Sequence, residues 1–236
     1  MTHEGLTSAS GLLPPGTQDR IVRPEMLSHE AVSLLENLDV DAHAEEIGHT
    51  RLGPAGKATA LLVALGIKPA GVTDYYAIPP HSPGESPQAL VDSSDEYTDI
   101  LHKLGLHTAT VVQYIEAKPD PLSPDEQRSL GIRSVYMAKT DQALDELTSA
   151  TRKGDRRGIG LALGYPPSSV ESFISGRRVW PEDVEGVDAA VLAFNFFLLS
   201  PDNTNQEVAL AKTWAEAVHS ASPDIYAAVM RTLTSA

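Results

Sequence analysis

The sequence predicts a mixed α/β protein: a small, mainly parallel three-stranded sheet with crossover helices, preceded by N-terminal helices and followed by an all-helical C-terminal half. Three observations carry this. Between residues 71 and 152, β-branched segments alternate with segments of helical period. Residues 25–65 carry apolar residues at helical spacing only, and residues 155–236 read as helices throughout.

Residues 1–23, rich in Ser, Thr, Gly and Pro and without a period, are expected to form a flexible N-terminal tail. Residues 24–236 are read as one domain, with a sub-boundary near 153 as the alternative. Met26, Ala31, Leu34, Leu35 and Leu38 fall on one helical face. A short helix at 40–48 would be stopped by Gly48. Pro54 suits a first helical position and Gly66 a stop, with Ala58, Leu61, Leu62 and Leu65 as the buried stripe between them.

Residues 71–78 then read as a strand, and 79–91 as a Pro-loaded loop. Ser93 and Glu96 have capping-box spacing for a helix that Gly105 would stop. Residues 108–115 have a buried-strand composition. Ser123, Pro124 and Glu126 open a short helix that Gly131 closes, residues 132–137 are the third strand, and Asp141 to Arg152 is the next helix. The right-handed crossover rule applies to such an alternation.

In the C-terminal half, Ser168 and Glu171 suggest another capping box, with Gly176 as the stop. Pro181 is expected to open an apolar, central helix reaching about Leu199. Thr204 and Glu207 start the following helix, and Ser222 with Pro223 the last.

Composition narrows the function. The chain has 236 residues, 42% of them hydrophobic, and no Cys, which excludes disulfides, thiolate chemistry and Cys-ligated zinc. A formal net charge of −14 repels phosphate backbones and anionic membrane surfaces, so neither nucleic acid nor membrane is an expected partner. No signal-peptide pattern and no apolar run of spanning length occurs, and a cytoplasmic location is expected.

Motif by motif, little points to catalysis. Gly53-Pro-Ala-Gly-Lys-Ala-Thr59 has the wrong spacing for a phosphate loop and reads as a helix N-terminus with a solvated Lys57. His43, Glu45, Glu46 and His49 read as a solvated acidic helix, because the histidines are six apart. No Gly-x-Ser-x-Gly elbow exists, and helix capping accounts for Ser168 and Ser169. Neither a cofactor nor a metal is implied.

One stretch departs from the acidic background. Arg152, Lys153, Arg156, Arg157, Arg177 and Arg178 are opposed within it only by Asp155 and Glu171, whereas the rest of the chain has 12 basic and 30 acidic residues. A helix start near Ser168 adds free N–H groups that favour an anion. The alternative is that these arginines are solvated or paired with acidic neighbours.

The same stretch holds Gly160-Leu-Ala-Leu-Gly-Tyr-Pro-Pro-Ser-Ser-Val-Glu-Ser-Phe173. This segment resembles the signature of the DUF483-like prokaryotic family, L-G-Y-P-x-C-C-x-x-x-F. Leu198 to Asn203 and the following Ala209 to Trp214 are similar in place to that family's downstream Pro-Cys-x-x-x-Cys element. The resemblance implies a cysteine-free divergent member, with Ser168, Ser169, Leu199 and Asn203 standing where the family has cysteines. A four-cysteine metal site in relatives could not form here. Gly164, Tyr165 and Pro166 then become structural, with Tyr165 packing the corner between two helices.

Two functions are therefore open. One is a non-catalytic binding or interaction protein with a small-anion site near 156–178, built from Arg156, Arg157, Tyr165, Ser168, Ser169, Arg177 and Arg178. The other is an enzyme of unknown chemistry acting on a small anionic substrate, for which Tyr165, Arg156, Arg157, His81 and Asp74 are the first candidates. Oligomeric state is not legible in the sequence.

Overall fold

A computed structural model describes residues 26–38, 53–77, 88–116, 129–177 and 179–233. The expected tail, the helix at 40–48 with its histidines, residues 79–87 of the Pro-rich loop, the helix opening at Ser123, Pro124 and Glu126, and Arg178 lie outside these residues; residues 88–91, expected to end that loop, are helical.

The first described helix, α1 (His29–Asn37), is capped by Ser28, whose side chain accepts from the Ala31 N–H. Helix α2 (Pro54–Ala64) begins with Pro54 in its first turn, as the sequence predicts. Lys57 is half-buried rather than freely solvated: its Nζ donates to the carbonyls of Glu36 and Leu38, at 2.9 and 2.8 Å. It thereby closes the C-terminal end of α1, where carbonyls lack helical partners.

Strand β1 (Ala70–Ala77), helix α3 (Gln88–Lys103), strand β2 (His107–Glu116) and strand β3 (Ser129–Ala138) follow. The three strands lie close to their predicted places, but their pairing corrects the expectation of a mainly parallel sheet. The order is β1-β3-β2, and β3 is antiparallel to both neighbours. β1 and β2 do run the same way, joined through α3, yet β3 is inserted between them and takes both sets of ladder bonds. A strand–helix–strand pattern fixes the relative direction of two strands, not their adjacency. Gly131, expected to close a helix, is a β3 residue opposite Ala77 and Tyr114. The helix expected to start at Ser93 begins earlier, at Gln88, so positions 93 and 96 fall within α3.

Alternation along the strands divides the core in two. Val135 and Met137 face the main core with α2, α3 and the C-terminal helices. Tyr136 and Ala138, with Ala70, face the other side, against Ala143, Leu144 and Leu147 of α4 (Asp141–Arg152) and against Leu163. Gly71 allows α2 to press on β1: a Cβ there would lie 2.6 Å from Thr59 Cγ2. Beneath α3, Tyr97 is fully buried with its hydroxyl 3.2 Å from Thr73 Oγ1, and burial raises its pKa.

The C-terminal half comprises α5 (Arg156–Ala162), α6 (Pro167–Ser175), α7 (Ala189–Phe194), α8 (Thr204–Ala221) and α9 (Pro223–Thr232). The long central helix expected from Pro181 to Leu199 is not formed. Only a 3-10 turn (Pro181–Asp183) and the short α7 are helical there. Asp188 accepts from the Val191 N–H at 3.0 Å and starts α7 afresh, a bond that also lowers the Asp188 pKa. Beyond Asn195 the chain leaves the helix and bridges Leu199 to Val179. Phe194, Phe197 and Leu199 are buried all the same. Apolar content alone does not distinguish a buried helix from a buried extended strap. The central elements are instead the C-terminal part of α2, with Ala60 to Ala64 buried, and the inner face of α8 with Leu210, Ala211, Trp214 and Val218, and the main core runs from Ala31 to Val229.

Candidate functional site

Helices α5 and α6 meet at Gly164-Tyr165-Pro166. Gly164 has φ of +77°, and a Cβ there would approach Pro69 Cδ to 2.6 Å. A glycine is required on both counts, the left-handed backbone and the close approach. This contact brings the turn before β1, containing Lys68, against the α5–α6 corner. Gly160 lets the two helices close up, because a side chain there would meet Val170 Cγ2 at 2.8 Å.

Between this corner and the strap at 196–198 lies a cleft of about 470 Å³, within the range of about 300–1,000 Å³ usual for small-molecule sites. Its walls are chiefly apolar: Ile159, Leu163, Val170, Phe173, Phe196 and Phe197. Its polar contributors are Arg156, Tyr165 and Ser169. Ser169, in the first turn of α6, is 2% exposed, and its hydroxyl has no hydrogen-bond partner. A buried hydroxyl left unpaired costs about 1–3 kcal/mol and is an unusual feature in a finished core. No carboxylate among the described residues pairs with Arg156, which lies exposed at the cleft.

The sequence-selected cluster therefore divides. Arg156, Tyr165 and Ser169 come together in the cleft. Arg157 is instead paired with Glu171 at 2.7 Å, and Arg177 with Asp202 at 3.1 Å, both on exposed surface. Surface pairs of this kind are worth little in stability, but they neutralise two of the charges assigned to an anion. Ser168 does not cap α6 and does not face the cleft: the helix is entered through Pro166 without a side-chain cap, and Ser168 Oγ donates to Glu207 Oε1 at 2.6 Å. The same carboxylate accepts from the Ser200 N–H. Asp74, on β1, accepts from Ser134 Oγ and is no part of the cleft. His81 lies outside the described residues. Among the described residues, no three His, Cys, Asp or Glu side chains are grouped to hold a metal ion.

Behind the aromatic wall sits a residue that sequence reading passed over. Lys68 is 2% exposed. Its Nζ lies 4.9 Å from the centroid of the Tyr165 ring, 5.5 Å from Phe196 and 4.8 Å from Trp214. Trp214 in turn stacks on Phe196 and meets Phe197 edge-on, at 5.8 and 5.3 Å. No carboxylate among the described residues pairs with Lys68, and burial pulls its pKa down to about 7. Burial also pushes the Tyr165 hydroxyl up to about 12, so it is protonated at neutral pH. A lone lysine between a helix stop and a strand has no sequence signature; only the three rings, drawn from positions 165, 196 and 214, identify its setting.

Comparison with known proteins found no match to this chain among protein-family models, curated proteins or solved structures.

Proposed function

We propose that this chain is a binding protein for a small amphiphilic anion, taken up in the cleft between α5, α6 and the 196–198 strap. The observation that carries this reading is Ser169: a buried hydroxyl without a partner, in the first turn of α6, on the wall of an apolar cleft. A ligand acceptor atom would satisfy it, and the N-terminal end of α6 favours an anionic one. Arg156 supplies the countercharge, and the Phe and Leu walls take the apolar body of the ligand. The anion region is thus narrower than residues 156–178: Arg157, Ser168 and Arg177 act in local structure.

Within the same proposal the chain is a cysteine-free relative of the DUF483-like proteins, and works in the cytoplasm. No helix among the described residues is long and apolar enough to cross a membrane.

Calorimetric titration with decanoate and with decan-1-ol tests the reading. Decanoate is expected to bind at least tenfold more tightly, the worth of one charge-assisted hydrogen bond. Arg156→Glu should abolish that preference and Arg157→Glu should leave it in place. Absence of binding by both compounds, or a preference indifferent to Arg156→Glu, would overturn the proposal.

A further inference from the structure

Lys68 and the cleft share two residues. The rings of Tyr165 and Phe196 line the cleft and also lie against the Lys68 ammonium group. Trp214 closes the third side and is itself buried, with its indole N–H unpartnered. Phe196 belongs to the non-helical strap that follows α7, so its side chain is not held in a helical packing register. Entry to Lys68 from the cleft requires that ring, now stacked on Trp214, to turn aside. Burial and the lack of a pairing carboxylate among the described residues favour the neutral amine; the three ring faces oppose this in part by attracting the ammonium form.

We propose that Lys68 is a reactive amine that condenses with an aldehyde or ketone admitted through the cleft. The Nζ lone pair attacks the carbonyl carbon, and the C=O π pair takes up a proton as an N–H proton is given up, forming a carbinolamine. The C–O bond then breaks and the C=N bond forms, so that the carbonyl oxygen leaves as water with the two protons originally on the neutral amine. The product is an imine, and no oxidant or reductant is consumed. Desolvation pulls the Lys68 pKa down to about 7, so free amine is present at neutral pH, where an ordinary exposed lysine is almost wholly protonated. Desolvated lysines are activated for carbonyl chemistry in this manner. The aromatic lining selects a flat, apolar carbonyl compound.

The proposal rests on the cleft admitting ligands, but not on Arg156 binding an anion. The full chain is incubated at pH 7 with benzaldehyde and sodium cyanoborohydride, which reduces the imine to a stable benzylamine, and the modified lysine is located by mass spectrometry of peptides. Lys68 is expected to carry label at least tenfold above any other lysine, to lose it in Lys68→Met, and to keep it in Arg157→Glu, which lies outside the cleft. Label spread over exposed lysines with Lys68 unmodified overturns the proposal. Decanoate titration of the same sample separates the two readings. Binding without Lys68 labelling removes the reactive amine alone, and labelling without binding removes the anion site alone.

Discussion

Ser168 and Glu207 lie 39 residues apart and are joined by a hydrogen bond of 2.6 Å, from the Ser168 hydroxyl to a carboxylate that is 1% exposed. The second oxygen of Glu207 accepts from the Ser200 N–H. One buried carboxylate thus ties the start of α6, the end of the strap and the first turn of α8, and two of these form walls of the cleft. Its position in the first turn of α8 is also favourable for a negative charge.

Glu207→Ala should destabilise the fold by about 3 kcal/mol, because it strands one buried N–H and one hydroxyl. Glu207→Gln should cost less, since an amide oxygen still serves one donor. Urea unfolding at neutral pH measures both. In a double-mutant cycle, Ser168→Ala and Glu207→Gln should couple by about 1 kcal/mol. Additivity would mean that the bond contributes nothing.

Lys68 makes stability depend on pH in a defined window. Its folded pKa of about 7 lies below the ordinary lysine value of 10.5. Between those values the unfolded chain binds the extra proton, so stability rises with pH through the window. Below about 7 both states are protonated, and the folded state bears the full cost of a buried charge, on the order of 3–5 kcal/mol. The three rings return part of it, about 2 kcal/mol when desolvated. Lys68→Met should therefore stabilise the protein at pH 6 by about 1–4 kcal/mol, with the gain shrinking toward pH 9.5. Denaturant titrations of both proteins at pH 6, 8 and 9.5 check the sign; a gain independent of pH would mean that Lys68 does not titrate in this range.

Gly71→Ala should cost about 1–3 kcal/mol through overpacking, because the new Cβ meets Thr59 Cγ2 at 2.6 Å and Val63 Cγ2 at 3.3 Å. Thr59→Ser removes the nearer methyl and should recover at least half of that loss. Thermal unfolding of the two single variants and the double variant tests the contact between α2 and β1.

Local chemistry wrote much of the fold into the chain. The helices at 54–64, 141–152, 204–221 and 223–232 follow from Pro at a first position, capping side chains and a 3.6-residue period, all read within a few residues of one another. The three strands were legible for the same reason, from short runs of β-branched and aromatic residues. Strand adjacency was not: β3 enters between β1 and β2 through pairings up to 68 residues apart, and no short-range pattern encodes which edge a strand joins. The segment 181–199 misled because its apolar residues are buried for their hydrophobicity, whatever the backbone conformation, while Asp188 restarts the helix locally.

At the site, the sequence marked Arg156, Tyr165 and Ser169 through a charge excess and a Gly-Tyr-Pro corner, but could not separate them from Arg157, Ser168 and Arg177. Partner choice decided that, since Glu171, Glu207 and Asp202 satisfy the latter three. Lys68 was invisible, because its character comes from desolvation by Tyr165, Phe196 and Trp214. By itself the sequence determined the elements, through interactions spanning a few residues. Only the tertiary structure decided which polar groups lose water and which find a partner, because burial is a property of the packed chain.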